Sequence, residues 1–258
     1  MPKILGKILI LGGTTEARLL AERLAGRTEL DVTLSLAGRT ASPPRQPVPV
    51  RSGGFGGANG LADYLLSKCI DVLIDATHPY ASVISANAAM AARKTAVPFV
   101  ALRRPPWTAV ADDRWVEVSD VREAVRTLGE TSRRVFVTLG RNELAPFVDA
   151  PQHHYLIRSV DPVDPLLPLP HVSYVTGRGP FREADDRALM TAHRIEVVIA
   201  KNSGGAATYG KIAAARTLGI GVIMLRRPPA PAAPALETVE DALAWLDHAL
   251  ISAPARGV

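Results

Sequence analysis

One cysteine, Cys69, occurs in the 258 residues, so no disulfide can form within the chain and a reducing, cytoplasmic setting is expected. Aromatic residues make up only 5% and are not interleaved with basic ones, which argues against a surface that stacks bases. Long apolar runs are missing: residues 8–11, 72–74 and 221–225 are strand-length, far short of the ~20 residues a spanning helix needs, so no membrane contact is expected. Lys3 and Lys7 before a short apolar run imitate a secretory leader. That run stops at GGTTE without a small-residue cleavage site, so a leader is not expected. The six histidines show no ligand spacing, and adjacent His153 and His154 cannot readily share one ion; no metal is expected. The G-x-G-x-x-G spacing of dinucleotide sites is also absent where the first strand meets the first helix.

What is present is a globular composition, 47% hydrophobic and 21% charged, with a net charge of +5. That charge admits nucleic acid, but the basic residues are dispersed and many stand beside proline or glycine. A small polyanionic ligand explains the charge as well, and no nucleic-acid partner is expected. The length suits one large domain or two modest ones.

The first half alternates strand-like and helix-like segments. KILIL (7–11) is a continuous apolar run, as a parallel strand covered on both faces requires. Ala17, Leu20, Ala21 and Leu24 then follow helical spacing up to Gly26. DVTLSL (31–36), DVLIDA (71–76) and PFVAL (98–102) read as further strands, with helices over 61–68 and 82–93. The fold class is α/β, with parallel, doubly wound sheets. An internal repeat divides the chain: IDVLIDATHPYASVISANAAMAARKTAVPFVALRRPP (70–106) resembles IEVVIAKNSGGAATYGKIAAARTLGIGVIMLRRPP (195–229). Each reads strand, special loop, alanine-rich helix, strand, LRRPP. SDVREAVRTL (119–128) and ETVEDALAWL (237–246) extend the echo, and VFVTLG (135–140) opens the second half as ILILGG opens the first. Two similar domains are expected, over 1–131 and 132–258.

Ligands of such sheets bind beyond the carboxyl ends of the strands, and the unusual loops fall there. In GGTTEA (12–17), Gly12 and Gly13 permit a tight turn, while Thr14 and Thr15 can cap the helix and meet a phosphate; a plain helix cap has the same spelling. An NAD site places a carboxylate after the second strand, whereas an arginine there accommodates the extra phosphate of NADP. Here the strand ends in LSLAGRT, with Gly38 and Arg39 and no acid, which favours NADPH. GGFGG (53–57) allows close approach by a flat ligand, or forms a flexible hairpin. DATHPYA (75–81) offers His78 as a donor, or as a structural cap. KNSGGAATYGK (201–211) surrounds a helix start with Lys201, Ser203, Gly204, Thr208 and Lys211: an anion cradle, with Lys201 available as a proton donor, or an ordinary loop with an exposed lysine. Arg103, Arg104, Arg226 and Arg227 stand at strand ends and suit carboxylates, unless they form a solvated rim.

Taken together, ILILGGTTEARLLAERL, GGFGG, IDVLIDATHPYA, TLGRNEL and KNSGG with TYGKIAAAR and VIMLRRPP resemble the precorrin-6A reductase family of cobalamin biosynthesis, in order through nearly the whole chain. The resemblance implies two Rossmann-like halves with parallel sheets and an active-site cleft between them. It implies an oxidoreductase that uses NADPH to reduce one carbon–carbon double bond of a tetrapyrrole polycarboxylate, giving precorrin-6B. GGTTEA is then the family's nucleotide-side turn. Cofactor contacts are expected from Gly12, Gly13, Thr14, Thr15, Glu16, Gly38, Arg39 and Thr77, with Gly140 and Arg141 of LGRNEL. Substrate contacts are expected from Arg103, Arg178, Ser203, Gly204, Thr208, Lys211 and Arg226. The proton donor is expected among Lys201, His78 and Tyr80, in that order. Hand-over of substrate from neighbouring pathway enzymes is a further expectation. The cobalt-dependent counterpart shares these motifs, and a non-catalytic carrier or a reductase of a smaller anion are the alternatives.

Overall fold

The structure, a computed structural model, describes residues 5–38 and 45–252. It comprises two units, Met1–Pro105 with Pro228–Val258, and Pro106–Arg227. In the first unit the chain runs β1 (Gly6–Leu11), α1 (Thr15–Ala25), β2 (Leu30–Leu36), β3 (Val50–Ser52), α2 (Gly57–Ser67), β4 (Val72–Asp75), α3 (Ser82–Thr95) and β5 (Phe99–Leu102). The second unit contains β6 (Trp115–Val118), α4 (Val121–Leu128), β7 (Arg134–Val137), 3-10 turns at Arg141–Glu143 and Ala145–Asp149, β8 (His154–Ser159), β9 (Val172–Thr176), α5 (Glu183–Ala192), β10 (Val197–Lys201), α6 (Gly210–Thr217) and β11 (Gly221–Leu225). The chain then returns to the first unit for β12 (Ala235–Leu236) and α7 (Val239–Ser252).

Burial explains the choice of elements. Along β1, Ile8 and Ile10 face a core built with Ala17, Leu20 and Leu24 of α1 and Ala242 and Leu246 of α7. Leu9 and Leu11 face the opposite core, with Leu61 and Leu65 of α2 and Ala88, Ala91 and Ala92 of α3. A strand covered on both faces must be apolar throughout, which is why KILIL does not alternate. In the second unit Phe136, Val198, Ala200 and Met224 pack against Met190 of α5 and Ile212, Ala214 and Ala215 of α6. Among the described residues no helix is long and apolar enough to cross a membrane.

Among the described residues both sheets have six strands, in the orders β12-β5-β4-β1-β2-β3 and β6-β11-β10-β7-β8-β9, with parallel pairing throughout. In each, strand order reverses beside the first strand, between β1 and β4 and between β7 and β10. These are the switch points where doubly wound sheets bind ligands.

The units do not follow a single cut. The expected break at 131/132 falls between α4 and β7, inside the second unit, and the sixth strand of each sheet comes from the far side of an LRRPP segment. β6 pairs with β11 and β12 with β5, so each repeat contributes its last strand and helix to the other repeat's sheet. The proline pair after each fifth strand has no N–H to continue a ladder. The chain therefore leaves the sheet at that point, and local pattern does not say which edge the next strand joins.

Candidate active-site loops

At the carboxyl edge of the first sheet, Gly12 donates its N–H to the Ser35 carbonyl at 2.9 Å, and a Cβ there would fall 2.5 Å from a Leu34 methyl. Gly13 has φ +118° with nothing within 4 Å of the side chain it lacks, so bare backbone faces open space before α1. Thr14 caps that helix: its Oγ1 accepts from the Ala17 N–H at 3.1 Å and donates to the Ala76 carbonyl at 2.8 Å. One side chain thus ties the first turn of α1 to the end of β4. Thr15 is exposed at the helix start, and Glu16 is ion-paired to Arg104.

The end of β4 carries a residue that the motif reading passed over. Asp75 is 1% exposed; its Oδ1 accepts from the Thr77 N–H (3.1 Å) and hydroxyl (2.6 Å), and its Oδ2 lies 3.5 Å from Arg103 Nη2. Arg103, expected to meet substrate, is thereby drawn onto a buried carboxylate. The His78 and Tyr80 rings lie 5.6 Å apart, and His78 Nδ1 accepts the Tyr80 N–H at 3.3 Å, which leaves Nε2 as the donor of the neutral ring. Gly38, with φ +71°, follows β2; Arg39 lies outside the described residues. Arg51 was also not singled out. It donates to the Gly53 and Gly54 carbonyls, both at 2.6 Å, and stacks 3.6 Å from the centre of the Phe55 ring, so GGFGG is a braced loop rather than a loose hairpin.

The second sheet presents the counterpart edge. Lys201, at the end of β10, is ion-paired to Glu143 at 2.5 Å, and Glu143 Oε2 also accepts the Gly140 N–H at 3.0 Å. Gly204 and Gly205 have φ +69° and +71°, the left-handed region that favours glycine. The loop is fastened from two sides. Asn202 exchanges hydrogen bonds with the Trp107 backbone at 2.7 and 2.8 Å, and Arg227 donates to the Asn202 and Ser203 carbonyls at 2.8 and 3.0 Å.

Lys211 is 5% exposed, donating to the Thr208 carbonyl at 2.6 Å with its ammonium 5.2 Å from the Trp107 ring. Burial pushes it down to about 7; nearby Arg158 adds to the shift and Asp186 opposes it. Arg158 is ion-paired to buried Asp186 and lies over the Phe181 and Phe136 rings at 3.8 and 4.9 Å. Position 210, the first residue of α6, requires glycine because a Cβ there would come 2.6 Å from the Phe181 carbonyl oxygen. Arg141 lies 3.6 Å from Asp161 and donates to the Pro162 carbonyl at 3.2 Å. Arg178 and Arg226 are exposed after β9 and β11. Among the described residues no group of three or more metal-ligating side chains could hold an ion.

Gly12 to Glu16, Thr77, His78, Tyr80 and Arg103 therefore gather at one switch-point edge. Gly140, Arg141, Lys201, Ser203, Gly204, Thr208 and Arg226 gather at the other. Two signals pointed to the missed residues. Asp75 aligns with Ala200 in the repeat, so the halves differ there, and Glu143 stands three residues after Gly140, the spacing of a helix-start carboxylate.

Two parallel sheets, each with glycine-bearing turns and paired basic and acidic side chains at its switch point, define a doubly wound, Rossmann-like α/β protein. A model of the precorrin-6x reductase CbiJ/CobK family matches residues 7–247. A precorrin-6A reductase from Sinorhizobium sp. is 55% identical over 96% of this chain and 95% of its own. The solved structure of a CobK precorrin-6A reductase superposes with a TM-score of 0.91 at 46% identity, covering 98% of this chain and all (100%) of that one. A cobalt-precorrin-6A reductase from Priestia megaterium is 29% identical over 95% of this chain and 98% of its own. The chain belongs to the precorrin-6x reductase CbiJ/CobK family, the family that the motif loops resemble.

Proposed function

We propose that this protein is a cytoplasmic oxidoreductase of cobalamin biosynthesis that uses NADPH to reduce one carbon–carbon double bond of precorrin-6A to give precorrin-6B. Full-length likeness to a precorrin-6A reductase is the observation that carries this reading. The metal-free substrate is favoured over the cobalt-containing one because the metal-free relative is the more similar of the two.

A reductase of this kind draws on a reduced nicotinamide, and the residues present suit one. Gly13 leaves backbone bare beside a helix start, where N–H groups and the helix dipole favour a phosphate. The segment after β2 bears no carboxylate to reject a 2′-phosphate, and Arg39 follows it in sequence. The bound cofactor supplies hydride, so no protein nucleophile is needed, and the chain's own tasks are to orient two flat molecules and deliver a proton. Lys201 is the preferred donor, ahead of His78 and Tyr80, because it is a part-exposed ammonium at the carboxyl end of β10, beside the switch point. Exposed Arg178 and Arg226, with Ser203, Gly204 and Thr208, would meet the substrate's carboxylates.

The rival reading is a carrier that binds tetrapyrrole without changing it. Oxidation of NADPH, followed by absorbance with precorrin-6A present, separates the two, since a carrier consumes none. Lys201→Ala should melt within a few degrees of wild type while turnover falls roughly ten- to a thousand-fold. A lower melting temperature with unchanged turnover would assign Lys201 to the fold instead.

A further inference from the structure

We infer that Glu143 is a positioning residue for Lys201, holding the lysine's ammonium where its proton is delivered; the inference rests on the reading of Lys201 as proton donor. A lysine has a four-carbon stem with many rotamers, whereas a general acid must sit within about 2.6–3.2 Å of the atom it protonates. Something has to choose one rotamer.

The choice is built from two elements beside the switch point of the second sheet. Glu143 closes the 3-10 turn after β7, with its N–H on the Gly140 carbonyl at 2.9 Å. Its Oε2 then receives two donors, the Gly140 N–H at 3.0 Å and Lys201 Nζ at 2.5 Å. The turn is anchored to the lysine's own strand, because Thr138 donates both N–H (3.0 Å) and hydroxyl (3.1 Å) to the Ile199 carbonyl. Position 140 suits glycine because a Cβ would fall 3.0 Å from Oε2 and press on the carboxylate.

Glu143 is 31% and Lys201 17% exposed, so the pair is partly buried at the carboxyl edge of the sheet, with the carboxylate placed to restrain the ammonium. Its effect is on geometry. The chemistry balances simply: NADPH would give hydride to one carbon of the double bond and leave as NADP+, a proton would leave the Lys201 ammonium for the neighbouring carbon, and the amine would regain that proton from solvent, one H+ per turnover, while Glu143 keeps it in place.

The test is a double-mutant cycle. Glu143→Ala should lower kcat about 10- to 100-fold, leave KM for NADPH and for precorrin-6A within about threefold, and raise the solvent deuterium isotope effect on kcat as proton delivery slows. Glu143→Gln keeps an oxygen acceptor and should recover most of the loss. In a Lys201→Ala background, Glu143→Ala should cost nothing further. Amine labelling read by mass spectrometry provides a second measure that needs no turnover: Lys201 should label faster in Glu143→Ala than in wild type. Slow Lys201→Ala with normal or additive Glu143→Ala overturns the positioning role alone. Normal Lys201→Ala overturns both the role and the donor reading. If wild type fails to reduce precorrin-6A, the functional reading falls, and unchanged labelling then removes the positional claim as well.

Discussion

Lys211 is a buried cation with one carbonyl, one aromatic face and a distant carboxylate for company. Its ammonium is pushed from the ordinary 10.5 down to about 7 by burial, chiefly, and by Arg158. Folding thus disfavours the proton that the unfolded chain still binds. Between about pH 7 and 10 the unfolded state carries the extra proton, so stability rises with pH across that window, and below it the full cost remains. Lys211→Met removes the titrating group while keeping most of the packing volume. It should raise the melting temperature at pH 6.5 by several degrees, for a gain of roughly 1–4 kcal/mol, and the advantage should shrink by pH 9.5. Melting curves of both proteins at several pH values decide this. Parallel pH profiles would mean that Lys211 does not titrate in the folded protein over this range.

At the scale of elements, α1 begins where a single threonine serves two partners. Thr14 Oγ1 satisfies an orphan N–H of the helix and also reaches the Ala76 carbonyl beyond β4. Loss of a cap of this kind costs about 1 kcal/mol and the second hydrogen bond adds a comparable amount. Thr14→Ala should therefore lower stability by about 2 kcal/mol and weaken NADPH binding by loosening the turn at Gly13, whereas Thr14→Ser retains both contacts. Urea unfolding and fluorescence titration with NADPH measure the two effects. Equal affinity for cofactor in Thr14→Ala and wild type would confine Thr14 to stability. A similar economy appears on α3, where alanines rather than larger side chains line the core face.

At the scale of the whole molecule, the exchange of sixth strands makes the end of the sequence part of the first unit. α7 packs on α1, Leu246 is 0% exposed in the same core as Ile8 and Leu20, and Arg23 and Arg27 of the α1 region pair with Glu240 and Asp247. Leu246→Ala should cost about 2–5 kcal/mol through the cavity it leaves. Hydrogen exchange should accelerate first in β1, α1 and β4, not in β10 and α6, although the latter are nearer in sequence. Faster exchange confined to the second unit would contradict the strand assignment.

The sequence alone determined the α/β class, the repeat and the loops that define the family. Each of these is written in local terms: the continuous apolar run of KILIL, the helical spacing of Ala17, Leu20, Ala21 and Leu24, and glycine where backbone must turn at Gly12 and Gly13. Local terms do not choose partners. Trp115–Val118 carries no sign that it will pair with β11 rather than extend the sheet it has just left, because parallel pairing is decided by which distant edge remains open. The same holds at the site. KNSGGAATYGK contains two lysines that look alike on paper, and only the fold turns Lys211 into the interior while bringing Lys201 to Glu143, 58 residues away in the chain. Burial and pairing are properties of the surroundings that long-range packing assembles, so they were settled by the tertiary structure.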